Sequence, residues 1–278
     1  MKFDDFIPPI LYKIKTRLNK NQVPKHFAEI FSSYADALAA CKGDGYEDTV
    51  LIDVVFEKTL RLIETVNLAK QSLTEATTQS LMVLLMAMHR EVGNTLNVID
   101  YGGACGAHYF FLRPLVPEKF TLQWAVVETP AMVMKAKSLE TNELRFYTAV
   151  AKAKESLGRI DLVHSTGAIQ YSPAPENSLN EMLGCAPAFV LFNRMALAEG
   201  EKIITIQESP LSANGPGSIP DIYEDKLCRY PLTYISKSFF EETISLKYNI
   251  KMMFDETLSY LDGKKIFLNG GYFAERCE

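Results

Sequence analysis

The segment Asn97-Val98-Ile99-Asp100-Tyr101-Gly102-Gly103-Ala104-Cys105-Gly106 joins a short apolar run to a carboxylate and a turn with three glycines, and Ala107 to Leu115 after it is helix-forming. Glycines let a backbone approach a ligand with no Cβ in the way, and the N-terminus of the following helix offers N–H groups without intrahelical partners. A dinucleotide-binding turn uses the same device, but its G-x-G-x-x-G spacing requires glycine where Tyr101 stands. A carboxylate ahead of the turn would repel a pyrophosphate, whereas it suits the cationic amino group of S-adenosylmethionine. Asp100, Gly102, Gly103 and Gly106 are therefore expected to hold S-adenosylmethionine, with Asp100 near its amino group. His108, in the first helical turn, is expected to touch the cofactor's carboxylate or a substrate anion.

A second carboxylate, Glu128, ends the apolar run Trp124-Ala125-Val126-Val127 and lies 22 residues beyond Gly106. At the end of a second strand it can accept hydrogen bonds from both ribose hydroxyls. The plainer reading is a tight strand-to-helix turn, with Glu128-Thr129-Pro130 starting a helix. Methyl transfer is an in-line displacement helped by alignment in a dry site, and a hydroxyl acceptor must also lose its proton. Ligands of doubly wound sheets sit beyond the carboxyl ends of the strands, which singles out His164, Ser165, Gln170, Tyr171, Asn193 and Arg194, with His108 and Tyr109 after the glycine turn. His164 is the expected general base because histidine titrates near neutral pH; alternatively it only packs near the adenosine. Gln170, Tyr171 and Arg194 are expected at the acceptor. No H-x-x-x-H pair or carboxylate cluster appears, so no metal is expected.

These residues need a parallel sheet to carry them. Apolar runs separated by helix-length segments predict strands at Asn97 to Tyr101, Leu122 to Glu128, Leu144 to Thr148, Asp161 to His164, Ala188 to Asn193 and Lys202 to Gln207. A helix at about Ser238 to Leu246 follows, then closing strands at Tyr248 to Phe254 and Lys265 to Phe273. The expected fold class is α/β, a doubly wound, Rossmann-like methyltransferase sheet, mostly parallel with an antiparallel last strand. Helical periodicity marks Phe27 to Cys41, Val50 to Leu68 and Glu75 to Met88. The expected division is an N-terminal helical region, 1–80, and a cofactor-binding domain, 81–278. An insertion at about 196–233 is expected to cover the acceptor pocket, with a mobile loop at Gly215-Pro216-Gly217.

The 278 residues are 47% apolar and 23% charged, a globular composition. No transmembrane run or signal-peptide pattern is visible, and Cys41, Cys105, Cys185, Cys228 and Cys277 are odd in number and scattered. A cytoplasmic protein with reduced thiols is the expectation. Net charge is −5, yet residues 1 to 25 hold six basic against two acidic groups, which leaves −9 for the rest. An acidic body is a poor partner for nucleic acid and favours small molecules or glycans. Ile7, Ile10, Leu11, Ile14 and Leu18 form an apolar stripe flanked by Lys13, Lys15, Arg17 and Lys20. That pattern predicts either peripheral contact of residues 1–20 with an anionic membrane face or packing on the protein itself.

The chain resembles a class I S-adenosylmethionine-dependent methyltransferase family often encoded in bacterial surface-polysaccharide gene clusters. The likeness rests on Asp100-Tyr101-Gly102-Gly103 with Gly106-Ala107-His108-Tyr109, on Trp124 to Pro130, on Ser165 with Ile169-Gln170-Tyr171, and on Gln207 and Tyr230-Pro231. Upstream, Phe31-Ser32-Ser33-Tyr34 and Gly45-Tyr46 also match, with Tyr34 in place of tryptophan and Ala104 in place of a common glycine. The resemblance implies Ser165 at the cofactor, Gln207 at the acceptor, and O-methylation of a sugar or surface-glycan precursor in polysaccharide biosynthesis. Two other functions remain open: a nicotinamide-dependent sugar oxidoreductase or epimerase, against which stands the missing glycine at Tyr101, and a non-catalytic binding protein.

Overall fold

The computed structural model describes residues 29–43, 45–66, 74–90, 94–254 and 257–277. The stripe in residues 1–20, with the membrane contact expected of it, lies outside them. No helix among the described residues is long and apolar enough to cross a membrane.

Strands β1 (Thr95–Tyr101), β2 (Thr121–Val127), β3 (Leu144–Tyr147), β4 (Leu162–Thr166) and β5 (Phe189–Ala198) pair in parallel in the order β3-β2-β1-β4-β5. Beyond β5, β10 (Lys264–Arg276) runs antiparallel and is followed by β8 (Tyr248–Phe254). The order reverses at β1 and β4, which opens a crevice at their carboxyl ends. Side chains alternate across each strand, and here both faces are buried, which is why the strands read as nearly continuous apolar runs.

The short helix α1 (Tyr34–Cys41) stands apart from the two helical layers. On one face, α2 (Thr49–Thr65), α3 (Glu75–Arg90), α4 (Ala107–Leu112) and α5 (Pro130–Ala136) pack Leu51, Val83, Leu112 and Met132 with Val98, Trp124 and Leu191 of the sheet. On the other, α6 (Val150–Leu157), α7 (Pro175–Gly184) and α8 (Lys237–Ser245) pack Val150, Leu179 and Phe240 with Ile99, Val163 and Phe192. Helix starts follow their caps: the Asp48 carboxylate accepts from Val50 and Leu51 N–H, and the Thr129 hydroxyl from Met132 N–H ahead of Pro130.

The boundary expected near residue 80 falls inside α3, which packs against β4 and β5, while α2 packs against α4 and α5. The segment 196–233 holds more strand than the expected run Lys202 to Gln207. β5 runs on to Ala198, and β6 (Ile203–Pro210) pairs antiparallel with a strand absent from the sequence reading, β7 (Leu227–Ser236), which also meets β5 at Leu197↔Ile235. Pro231 disguises β7, and it is tolerated because at that position β7 has a partner only on the β6 side. A further unforeseen strand, β9 (Thr257–Leu261), folds back on β10. The upper halves of β5 and β10 thus extend past the crevice as a wall with β6, β7 and β9, and α1 packs on it through Ala37, Cys41 and Ile206.

The Gly215-Pro216-Gly217 segment, expected to be mobile, is tied to α2. Lys58, 1% exposed, donates from Nζ to the Ser212 carbonyl (2.8 Å) and the Asn214 carbonyl (2.5 Å). Asp225 accepts from Ser212 N and Oγ at 2.8 and 2.6 Å. Lys58→Ala leaves both carbonyls without their donor and is expected to cost about 1–3 kcal/mol of unfolding free energy in urea. A loss below about 0.5 kcal/mol, the size of an ordinary surface change, contradicts this account of the loop.

Candidate active site

The carboxylate that ends β1 faces inward. Asp100 is 1% exposed; its Oδ1 lies 2.8 Å from His164 Nδ1, and its Oδ2 accepts from Trp124 Nε1 at 3.1 Å. An ionised carboxylate can only accept, so Nδ1 of His164 carries a proton. On the far side of the ring, Nε2 meets Ser80 Oγ of α3 at 2.8 Å and Thr166 Oγ1 at 3.2 Å. Burial alone would raise the Asp100 pKa, but the charge and hydrogen bond of His164, with His108 and Trp124, outweigh it and hold the group below the usual carboxylate range.

Each glycine of the turn answers to a separate contact. A Cβ on Gly103 would stand 2.4 Å from Asp100 Oδ2, so this residue is the floor laid over the carboxylate. Gly102, at φ +72°, would drive a Cβ to 2.1 Å from the Ala168 Cβ. Gly106, at φ +78°, turns the chain into α4, while Ala104 accepts the left-handed region at φ +49°. Packing within the protein accounts for these glycines before any ligand arrives.

Glu128 stays half-buried at the rim. Its Oε1 accepts from Ala104 N at 3.0 Å and its Oε2 from Thr129 N at 2.9 Å, which joins the end of β2 to the glycine turn and leaves each oxygen a further lone pair. Burial raises its pKa, against the two backbone hydrogen bonds and helped by the charges of Asp100 and Glu47. His108, in the first turn of α4, is partly exposed, with Nδ1 3.9 Å from Asp100 Oδ2 and its ring edge-on to His164. Burial, then His164 and Arg194, push its pKa down to about 4 against the pull of Asp100.

Three of the expected site residues are held by the protein's own hydrogen bonds. His164 is 1% exposed and bonded on both ring nitrogens. Asp100 is bonded to His164 and Trp124. Ser165 is buried and donates to the Tyr101 carbonyl at 3.1 Å, which clips β4 to the turn. The donor atoms of Asp100, His108 and His164 do lie within 4.8 Å of one another, a grouping that residue spacing concealed and that could hold a metal ion. The protein's own hydrogen bonds already account for two of its three members.

The four acceptor-side candidates come together in pairs. Gln170 and Tyr171 share the turn Ile169–Tyr171 after β4. Gln170 Nε2 donates to the Arg194 carbonyl at 3.1 Å, and the Tyr171 hydroxyl donates to Gln207 Oε1 at 2.8 Å. Tyr46 and Tyr230 complete the wall, with ring centroids 4.8 and 5.4 Å from that of Tyr171. Those two, with Ser80 and Trp124, were missed as site residues. Tyr46 and Tyr230 entered only through the family likeness, and Ser80 and Trp124 look like helix surface and strand core.

The buried quartet makes a sharp prediction. His164→Leu removes the main donor and leaves a buried carboxylate uncompensated, which is expected to cost about 3–5 kcal/mol in urea unfolding, with part recovered by adding Asp100→Asn. Because the folded pKa of Asp100 lies below its unfolded value of about 4, its stabilising contribution is present above that value and disappears as pH falls through the folded one. Asp100→Asn should lack this acid-side loss; an unchanged pH profile contradicts the assignment.

No family model matches the chain, and no curated protein matches it. Among solved structures it is similar to an amino pentose methyltransferase from Micromonospora echinaspora involved in calicheamicin biosynthesis, with 13% identity over 80% of this chain and 97% of that one and a TM-score of 0.48. A S-adenosylmethionine-dependent methyltransferase from Clostridium acetobutylicum is similar at 10% identity over 80% and 99% of the two chains, with a TM-score of 0.45. The cyclase SpnF is similar at 8% identity over 84% and 97%, also with a TM-score of 0.45. At such identities and scores the likeness carries no residue role and no reaction over to this chain.

Proposed function

We propose that the chain is a class I S-adenosylmethionine-dependent methyltransferase that transfers the methyl group to a hydroxyl of a sugar or glycan precursor. The observation that carries the reading is the antiparallel β10 set between β5 and β8, on a sheet whose β2 ends in Glu128 against the glycine turn. A nicotinamide enzyme of the dinucleotide type would call for a parallel sixth strand and for glycine at Tyr101. The sugar acceptor is supported by the family likeness and by the tyrosine and amide character of the wall formed by Tyr46, Tyr171, Gln207 and Tyr230.

In this reading Glu128 accepts from the ribose hydroxyls, and N–H groups of the turn and of the start of α4 face the cofactor's carboxylate. When bound there, S-adenosylmethionine would supply a methyl group on a sulfonium, passed in line to the acceptor oxygen with S-adenosylhomocysteine as the leaving group and the hydroxyl proton released to water. Gln170, Tyr171 and Arg194 orient the acceptor, and most of the acceleration comes from that alignment rather than from His164. Asp100, Trp124 and His164 act from beneath, by fixing the shape of the turn.

Titration calorimetry with S-adenosylhomocysteine tests this directly. Glu128→Ala is expected to bind about 1–3 kcal/mol more weakly than the wild type, since charge-assisted bonds to two hydroxyls are lost. Binding should also weaken as pH falls through the raised Glu128 pKa, because the protonated acid gives up charge assistance. Equal affinity of Glu128→Ala and wild type, or binding of NAD in place of S-adenosylhomocysteine, overturns the proposal.

A further inference from the structure

Arg194 adopts φ +53° within β5, a backbone conformation that a long L side chain rarely takes inside a strand. A bulge causes it: Tyr272 faces Phe192 and Gly270 faces Met195, so Asn193 and Arg194 together oppose Gly271. Gly271 cannot carry a side chain there, because a Cβ would stand 2.6 Å from the Phe254 ring and 3.0 Å from Asn193 Oδ1. Asn193 is fixed in turn, with Nδ2 donating to Gln79 Oε1 at 2.5 Å and Oδ1 accepting from Arg194 N at 2.9 Å.

The bulge brings the exposed Arg194 side chain over the loop that follows β4. A Cβ on Gly167 would lie 3.6 Å from its Cζ and 3.7 Å from its Nε, so the guanidinium passes over that glycine. The Arg194 carbonyl accepts from Gln170 Nε2 at 3.1 Å, which sets the residue beside the turn that carries Tyr171. Arg113, Arg159 and Arg229 each pair with a carboxylate, and Arg276 donates to a carbonyl. Among the described residues, the Arg194 guanidinium meets no carboxylate and donates no hydrogen bond. Directly beneath, Gln170 is 4% exposed; its amide nitrogen is committed to the Arg194 carbonyl, and its Oε1 is buried without a partner. The Arg194 guanidinium is thus an exposed cation without a partner, set beside the acceptor wall.

We propose that Arg194 forms an oxyanion subsite and that the acceptor therefore carries a carboxylate or phosphate group. A planar fork of donors suits either group bidentately. Only the word acceptor rests on the methyltransferase reading; the anion subsite itself does not.

The test follows the Arg194 Nε–Hε resonance in the ¹⁵N spectrum of the full chain, with and without S-adenosylhomocysteine, during titration with inorganic phosphate and with acetate at constant ionic strength. A saturable shift with either anion supports the subsite, and the one that binds tighter tells phosphate from carboxylate. A linear drift with both, equal to that with chloride, overturns it. Calorimetry of the same anions should show Arg194→Lys weaker by at least about tenfold, because the fork is lost. Arg194→Asn, which suits the left-handed backbone, should show no binding. Retained anion affinity in folded Arg194→Asn also overturns the proposal. If S-adenosylhomocysteine fails to bind while the anion shift saturates, the cofactor reading fails and the subsite stands.

Discussion

A single buried carboxylate organises the site. Removing Asp100 from water is costly unless its oxygens are satisfied, and the partners that satisfy it come from three other elements: His164 of β4, Trp124 of β2 and, through His164, Ser80 of α3. Gly103 closes the top at a distance no Cβ allows. The turn above inherits its shape from this arrangement. Three of its N–H groups are engaged within the protein: Gly102 N with the Val127 carbonyl at 2.9 Å, Gly106 N with the Gly103 carbonyl at 2.8 Å, and Ala104 N with Glu128 Oε1 at 3.0 Å. The acid ahead of the glycines therefore acts as a foundation, and the acid that ends β2 is the one left at the surface of the crevice.

The strands β5 and β10 do two jobs along their lengths. Below the bulge at Asn193 and Arg194 they are core, with Phe192 and Tyr272 buried among aromatic rings. Above it they leave the main sheet and support β7, β6 and β9 as a wall. The bulge is the hinge between these roles, and it turns one cationic side chain toward the crevice. Lys58 fastens the far end of that wall to α2, so wall and sheet share one frame.

Much of this was legible in the residues. The glycine turn, the carboxylate at position 128 and the alternation of apolar runs with helices fixed the class of fold and the edge where a ligand belongs, because those signals are local. What stayed hidden depends on register. Asp100 and His164 sit opposite each other on neighbouring strands, 64 residues apart, so a histidine chosen for its chemistry proves to be a partner of the acid. Gln170 with Arg194 and Tyr171 with Gln207 were named singly, and only the fold pairs them. Trp124 looked like core because an indole N–H with a buried partner leaves no mark in an apolar strand. The strand β7 was lost to its proline and β9 to its short, mixed pattern.

The most direct test of the account is a crystal structure of the protein with S-adenosylhomocysteine. The account predicts the ribose hydroxyls within hydrogen-bonding distance of the Glu128 carboxylate, while Asp100 keeps His164 and Trp124 and touches no ligand atom. A ligand whose amino group reaches Asp100 with His164 displaced, or one bound away from the glycine turn, would contradict it.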